Sequence, residues 1–122
     1  MAYDFEKWKE RIKSRTDLSG YVYHLTKPVL DVNGNTTLKA IDRLINIINE
    51  RKLDGSSTQS GFIIGNKKAV CFQDAPIRGI AQNVIHEQDF RKELGGKIRY
   101  KGIGLAFTKP YIFNKGGRPV IY

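Results

Sequence analysis

An α+β domain, with helices packed on a small and mainly antiparallel sheet, is the fold this sequence predicts. Three observations predict it. Short runs rich in aromatic and β-branched residues, bounded by Gly, Pro and Asn, read as strands. Longer stretches repeat apolar residues at helical spacing. The two kinds follow one another as α-β-α-β-β-α-β-α-β, a mixed order that suits helices laid on one small sheet.

The elements follow in chain order. Residues 4 to 15, "DFEKWKERIKSR", put Phe5, Trp8 and Ile12 on one face among charges, the pattern of a short amphipathic helix within residues 1 to 16. "YVYHLT", residues 21 to 26, begins after Gly20 as a strand, and Pro28 ends it or confines it to an edge. Asn33-Gly34 is a turn signal, and Thr36 or Thr37 can cap the helix predicted over residues 37 to 51, whose stripe is Leu38, Ile41, Leu44, Ile45 and Ile48. The polar stretch 54 to 61, "DGSSTQSG", reads as a loop. Residues 62 to 64 and 68 to 72 read as a hairpin about Gly65-Asn66.

Ala69 to Phe72 is then a short buried strand, and Asp74 sits where an N-cap belongs, with Pro76 in the first turn of a helix running to about Leu94 and stopping at Gly95-Gly96. "KIRYKGIGLAF" alternates as a strand, with Gly102 and Gly104 as positions of bulge or close approach. Thr108 and Pro110 open a last short helix, closed by Gly116-Gly117, and "RPVIY" is the final strand. Val120, Ile121 and Tyr122 are apolar to the last residue. Either that strand is tucked into the sheet, or the chain is a shortened version of a longer domain.

A chain of 122 residues is one domain with room for one core. No apolar run approaches the roughly 18 residues of a membrane span, the start lacks the order of a signal peptide, and a single cysteine excludes an internal disulfide. A reducing cytoplasm is therefore the expected compartment and no membrane association is expected. The net charge is +9, and six cations but no acid follow Glu93: Lys97, Arg99, Lys101, Lys109, Lys115 and Arg118. Such a field favours nucleic acid, a nucleotide or an acidic protein face, and reads equally as a solvated surface. Tyr100, Tyr111 and Phe113 lie among these cations as stacking platforms for a nucleic-acid strand.

Four places could carry chemistry. His24 and Thr26 share one strand face, where an imidazole and a hydroxyl could grip a ribose or an amide, although a hydrogen-bonded core histidine has the same pattern. Asp74, at the corner between strand and helix, suits a site as well as a cap. "KGGRPV" resembles a phosphate nest, with a helix C-cap as the plainer reading. Cys71 among apolar neighbours is expected to be buried and structural rather than nucleophilic. His24, His86 and Cys71 have no ligand-pair spacing, so no metal is expected.

Taken together, the strand ending His-x-Thr, a helix of the form "L..I..L.II...KL", the polar loop and "KAVCF.D.P....I" resemble the first half of DarT-type ADP-ribosyltransferases. The likeness extends through "YKGIGLAFTKPYIFNKGGRPVIY" to bacterial abortive-infection proteins of the AbiGi kind and covers residues 21 to 122. The resemblance implies an ADP-ribosyltransferase-like fold and, as chemistry, cleavage of the nicotinamide bond of NAD with transfer of ADP-ribose, in DarT to a DNA base. His24 and Thr26 match the motif that holds the nicotinamide ribose and amide, and Asp74 stands on the facing wall. Such enzymes carry a catalytic glutamate on a late strand, and no matching residue is present here. The resulting expectation is a binder of NAD or nucleic acid in phage–host conflict, of the abortive-infection or toxin–antitoxin type, without turnover on its own. The alternatives are an active NAD-dependent transferase acting on nucleic acid and a plain basic nucleic-acid-binding or protein-interaction module. A homodimer paired through the C-terminal strand is a further expectation.

Overall fold

The structure, a computed structural model, describes residues 4–56, 65–96 and 98–120. Among them are four helices and two small antiparallel ladders: α1 (Phe5–Ser14), β1 (Tyr21–Leu25), β2 (Val29–Leu30), β3 (Thr36–Leu38), α2 (Ala40–Glu50), α3 (Ile77–Asp89), β4 (Gly104–Thr108) and α4 (Lys109–Asn114). The class is α+β, as predicted, but the strands form two separate two-stranded sheets rather than one. No helix among the described residues is long and apolar enough to cross a membrane.

The β1–β4 ladder organises the molecule. Tyr21 pairs with Thr108 and Leu25 with Gly104. On its other edge β1 is bridged at a single point, where the Tyr23 and Gln73 backbones exchange N–H···O bonds of 2.9 and 2.7 Å. Gly104 permits the close approach expected of it: a Cβ there would meet the His24 carbonyl and lie 2.8 Å from Leu25 Cα. Beyond the ladder, Thr26 N–H donates to Ile103 (2.8 Å) and Lys101 N–H to the Thr26 carbonyl (2.7 Å). Only Gly104–Thr108 of the predicted long strand is therefore ladder.

The second ladder corrects the expected start of α2. Thr36 and Thr37 belong to β3, not to a cap, and α2 begins at Ala40 with the Asp42 carboxylate accepting from Lys39 N–H at 3.3 Å. The reason is a turn that fastens the two short strands together. Asp31 accepts from the Asn33 and Asn35 amides, both at 2.9 Å, Gly34 takes φ +82°, and Thr37 Oγ1 donates to the Val29 carbonyl at 3.2 Å.

Between the ladders the chain departs further from expectation. Residues 62 to 64, half of the predicted hairpin, lie outside the described residues. Ala69 instead bridges Ser56. Cys71 is exposed, not buried, because the segment from Val70 to Phe72 makes no ladder that would cover it. Asp74 is not the cap of α3 either: that helix starts at Ile77 with Pro76 in the cap position, and Asp74 is drawn to a lysine distant in sequence. α3 ends at Asp89, and the turns after it close through Gly95 and Gly96, both at positive φ. α4 is as predicted, with Thr108 as N-cap, Pro110 in the first turn and Gly116 at φ +93° after it. Arg118 to Val120 pairs with no strand of this chain, so the predicted last strand is not part of either ladder; Ile121 and Tyr122 lie outside the described residues.

Burial is sparse. Among the described residues, Ala40, Ile80 and Val84 form the buried apolar core, joined by Thr26.

Candidate functional site

β1 places His24 on the face that also carries Val22 and Thr26, opposite Leu105 and beside Phe107 of β4. The Tyr23–Gln73 bridge brings the "KAVCFQD" segment alongside, and it fixes the imidazole: His24 Nδ1 lies 3.0 Å from the Cys71 carbonyl. A carbonyl can only accept, so Nδ1 carries a proton, and the Nε2-H-free tautomer of the ring offers Nε2 as an acceptor. Neither the carbonyl nor its role has a signature in residue type.

From His24 a row of rings crosses the ladder. The His24 and Phe72 centroids are 5.8 Å apart and edge-on, Phe72 and Phe107 are 5.9 Å apart and edge-on, and Phe107 and Tyr111 are 5.9 Å apart and nearly parallel. These are favourable separations for aromatic pairs. Tyr111 is half exposed, and Lys115 Nζ stands 5.7 Å from its centroid. Next to it, Lys109 Nζ meets the Asp74 carboxylate at 2.8 Å. The row therefore begins at an imidazole acceptor and ends among cations. Phe72 and Phe107 are its middle members, and apolar alternation alone gave no reason to read them as anything but packing.

Thr26 has a different setting. It is buried, and its hydroxyl lies 2.9 Å from the Ala40 carbonyl and 3.2 Å from that of Ile103. One proton shared between two carbonyls ties β1 to α2 and to the approach to β4, and leaves no O–H donor for a ligand.

The basic residues separate into two groups. Lys101 is backbone-bonded to Thr26 and Lys109 to Gly20, at opposite ends of β1, which sets their backbones about 20 Å apart at the strand rise. At the α4 end stand Lys109, Lys115 and Arg118; Arg118 donates to the Phe113 and Gly117 carbonyls (3.0 and 2.7 Å) and lies 4.0 Å over the Phe113 ring. At the other end Arg99 pairs with Glu87 at 3.6 Å, beside a dimple of 30 Å³ lined also by Arg91, Tyr100 and Lys101. Burial, with the Glu87 charge adding to it, pushes the Tyr100 phenol above its usual range. Lys97 lies outside the described residues.

A larger concavity starts one residue beyond Thr26. It is an open, mostly apolar cleft of 370 Å³ between Lys27–Leu30, Arg43, Gly96 and Ile98. Arg43 Nη1 donates to the Lys27 carbonyl at 3.2 Å, which ties α2 to the chain leading into β2. Among the described residues no group of three or more His, Cys, Asp or Glu side chains is placed to hold a metal ion. No protein-family model, curated protein or solved structure matches the chain.

Proposed function

We propose that this chain is a nucleotide-binding module of the ADP-ribosyltransferase type, which takes NAD on the His24 face and does not turn it over on its own. One observation carries the reading: an oriented imidazole acceptor, a row of aromatic rings and two lysines follow one another on a single face. A dinucleotide asks for those three features, an acceptor for an amide or hydroxyl, flat apolar surface for its rings and cations for its phosphates.

In this reading His24 Nε2 accepts from the nicotinamide or its ribose, Phe72, Phe107 and Tyr111 supply ring contact, and Lys115 faces the phosphates, with Lys109 held beside it by Asp74. Thr26 acts behind the face, holding β1 to α2, rather than on the ligand. Bound NAD supplies an ADP-ribosyl group and a nicotinamide leaving group. Stabilising the positive charge that develops on the sugar takes a carboxylate. β1 and β4 carry none, and Asp74, the carboxylate at the end of the row, is neutralised by Lys109. That is the ground for proposing binding without turnover, and a role in phage–host conflict rests on the resemblance of the sequence alone.

A second reading has its own observation. Tyr111 and Phe113 are both about half exposed with a cation over each ring, the pairing that lets a single nucleic-acid strand stack and be neutralised together. Calorimetry separates the two. NAD binding that His24→Ala weakens at least about tenfold, with no nicotinamide released, is the expected result. Binding lost in Arg43→Ala but not in His24→Ala would move the ligand to the 370 Å³ cleft. Absence of binding at millimolar NAD, with steeply salt-dependent binding of a single-stranded oligonucleotide, would leave the second reading.

A further inference from the structure

The 370 Å³ cleft beyond Thr26 has no part in the NAD reading, and its lining differs in kind from the His24 face. Pro28, Val29, Leu30 and Ile98 give it aliphatic walls, and its lining residues include no aromatic ring and no acid. Val29 and Leu30 are exposed by 40 and 44%, so this apolar surface is open to a ligand.

The walls are set by backbone. Val29 pairs with Leu38, and its carbonyl accepts from Thr37 Oγ1 at 3.2 Å, so one wall belongs to the β2–β3 ladder. Another begins at Gly96, whose φ of +71° turns the chain and whose N–H donates to the Arg91 carbonyl at 2.7 Å. Arg43, in the first turn of α2, lines the cleft with its guanidinium fastened: Nη1 donates to the Lys27 carbonyl at 3.2 Å. That bond uses one donor of a planar fork, and the fork keeps others for a two-point grip on a carboxylate. The neighbouring acid, Asp42, is turned to the Lys39 N–H at 3.3 Å.

A positioned guanidinium among aliphatic walls defines the chemistry of a ligand. The volume lies at the lower end of the roughly 300–1,000 Å³ of small-ligand sites, enough for one short chain and too little for a dinucleotide. Walls without a ring favour a saturated chain over a base, which gains most from aromatic contact. With Lys27 also in the lining and no acid there, the local field is positive, and the planar fork matches a planar anionic head.

We infer that this cleft is a second binding site, for a medium-length aliphatic monocarboxylate, with the chain against Pro28, Val29, Leu30 and Ile98 and the carboxylate on Arg43. It is independent of the NAD reading and needs no contact with His24.

The test uses the full chain and octanoate as the probe, followed by nuclear magnetic resonance of side-chain methyls and arginine Nε–H groups. The expected result is saturable shifts of the Val29, Leu30 and Ile98 methyls and of Arg43 Nε–H, with the His24 ring unmoved. Octanol, which keeps the chain without the charge, and propionate, which keeps the head with little chain, should each bind at least about tenfold more weakly. Arg43→Met should weaken octanoate by the same measure and leave octanol within about twofold. Because Arg43 also ties α2 to Lys27, Leu30→Glu serves as a second variant: it sets a carboxylate of the chain's own on the cleft wall, keeps that tie and should likewise exclude octanoate. Amide spectra of both variants confirm the fold. No saturable shift at millimolar octanoate, octanol bound as tightly as octanoate, or binding indifferent to both variants would each overturn the inference. So would octyl phosphate bound more tightly than octanoate, which would make this a phosphate site, or shifts gathered at the His24 ring, which would place the anion on the nucleotide face.

Discussion

The β1–β4 ladder and the α1 helix are built by opposite means. The ladder's end is tied by long-range bonds: Thr26 bonds Ala40 and Ile103, Lys101 bonds Thr26, and Gly104 lets the two strands touch. α1 is closed by its own cap and its own ion pairs, and none of its residues is buried. The difference teaches where function can sit. Side chains on the ladder are held by backbone that has no alternative, which suits an oriented acceptor such as His24. Those of α1 stay largely exposed, with a local cap and local ion pairs as the support that sets the helix.

The comparison breaks first at the core. Ile80 is among the few buried apolar side chains of the described residues, so Ile80→Ala should remove about 2–5 kcal/mol and abolish the cooperative transition, whereas Phe5→Ala on α1 should fall within about 0.5 kcal/mol of wild type. Denaturant melts of the two variants check this. Comparable losses would show that α1 is packed after all. Next is Gly104→Ala, which puts a methyl against the His24 carbonyl and Leu25 Cα and should cost about 1–3 kcal/mol by overpacking. The amide resonances of β1 should move with it, while those of α1 stay.

The smallest effect sharpens the contrast at the second ladder. The Asp31 carboxylate is held below its usual range, first by the Asn35 amide and then by Asn33. A depressed folded value means stabilisation that is fully present above the unfolded pKa of about 3.9 and is lost as pH falls through the folded one. Asn33 and Asn35 amide exchange should therefore quicken only below about pH 4, with β1–β4 amides unaffected in that window. Asp31→Asn should remove the pH step while leaving the turn in place. A step near pH 6 would implicate a histidine instead.

What was legible in the sequence follows the same division. α1, β1, the Asn33-Gly34 turn and the capped α4 were readable because their determinants are neighbours: Thr108 and Pro110 sit inside the turn they start, and Gly116 ends it. The strand at Thr36–Leu38 was not, since two threonines before a helical stripe read as a cap, and only Val29 across the turn makes them a strand. Asp74 also passed as a cap, because its partner Lys109 is 35 residues away, as the two positions show. His24 was found from its place on the strand. The carbonyl of Cys71 that orients it could not be, since every residue has a carbonyl.

The proposed NAD face is tested most directly by long-range nitrogen–proton spectra of the two histidine rings, His24 and His86, during an NAD titration. His86 packs on Phe90 at the end of α3, 4.7 Å between ring centroids, and serves as the internal control. The account predicts a saturable shift of His24 Nε2, with Nδ1 keeping its proton toward Cys71 and His86 unmoved. A His24 ring that ignores NAD, or two rings that drift together, would contradict it.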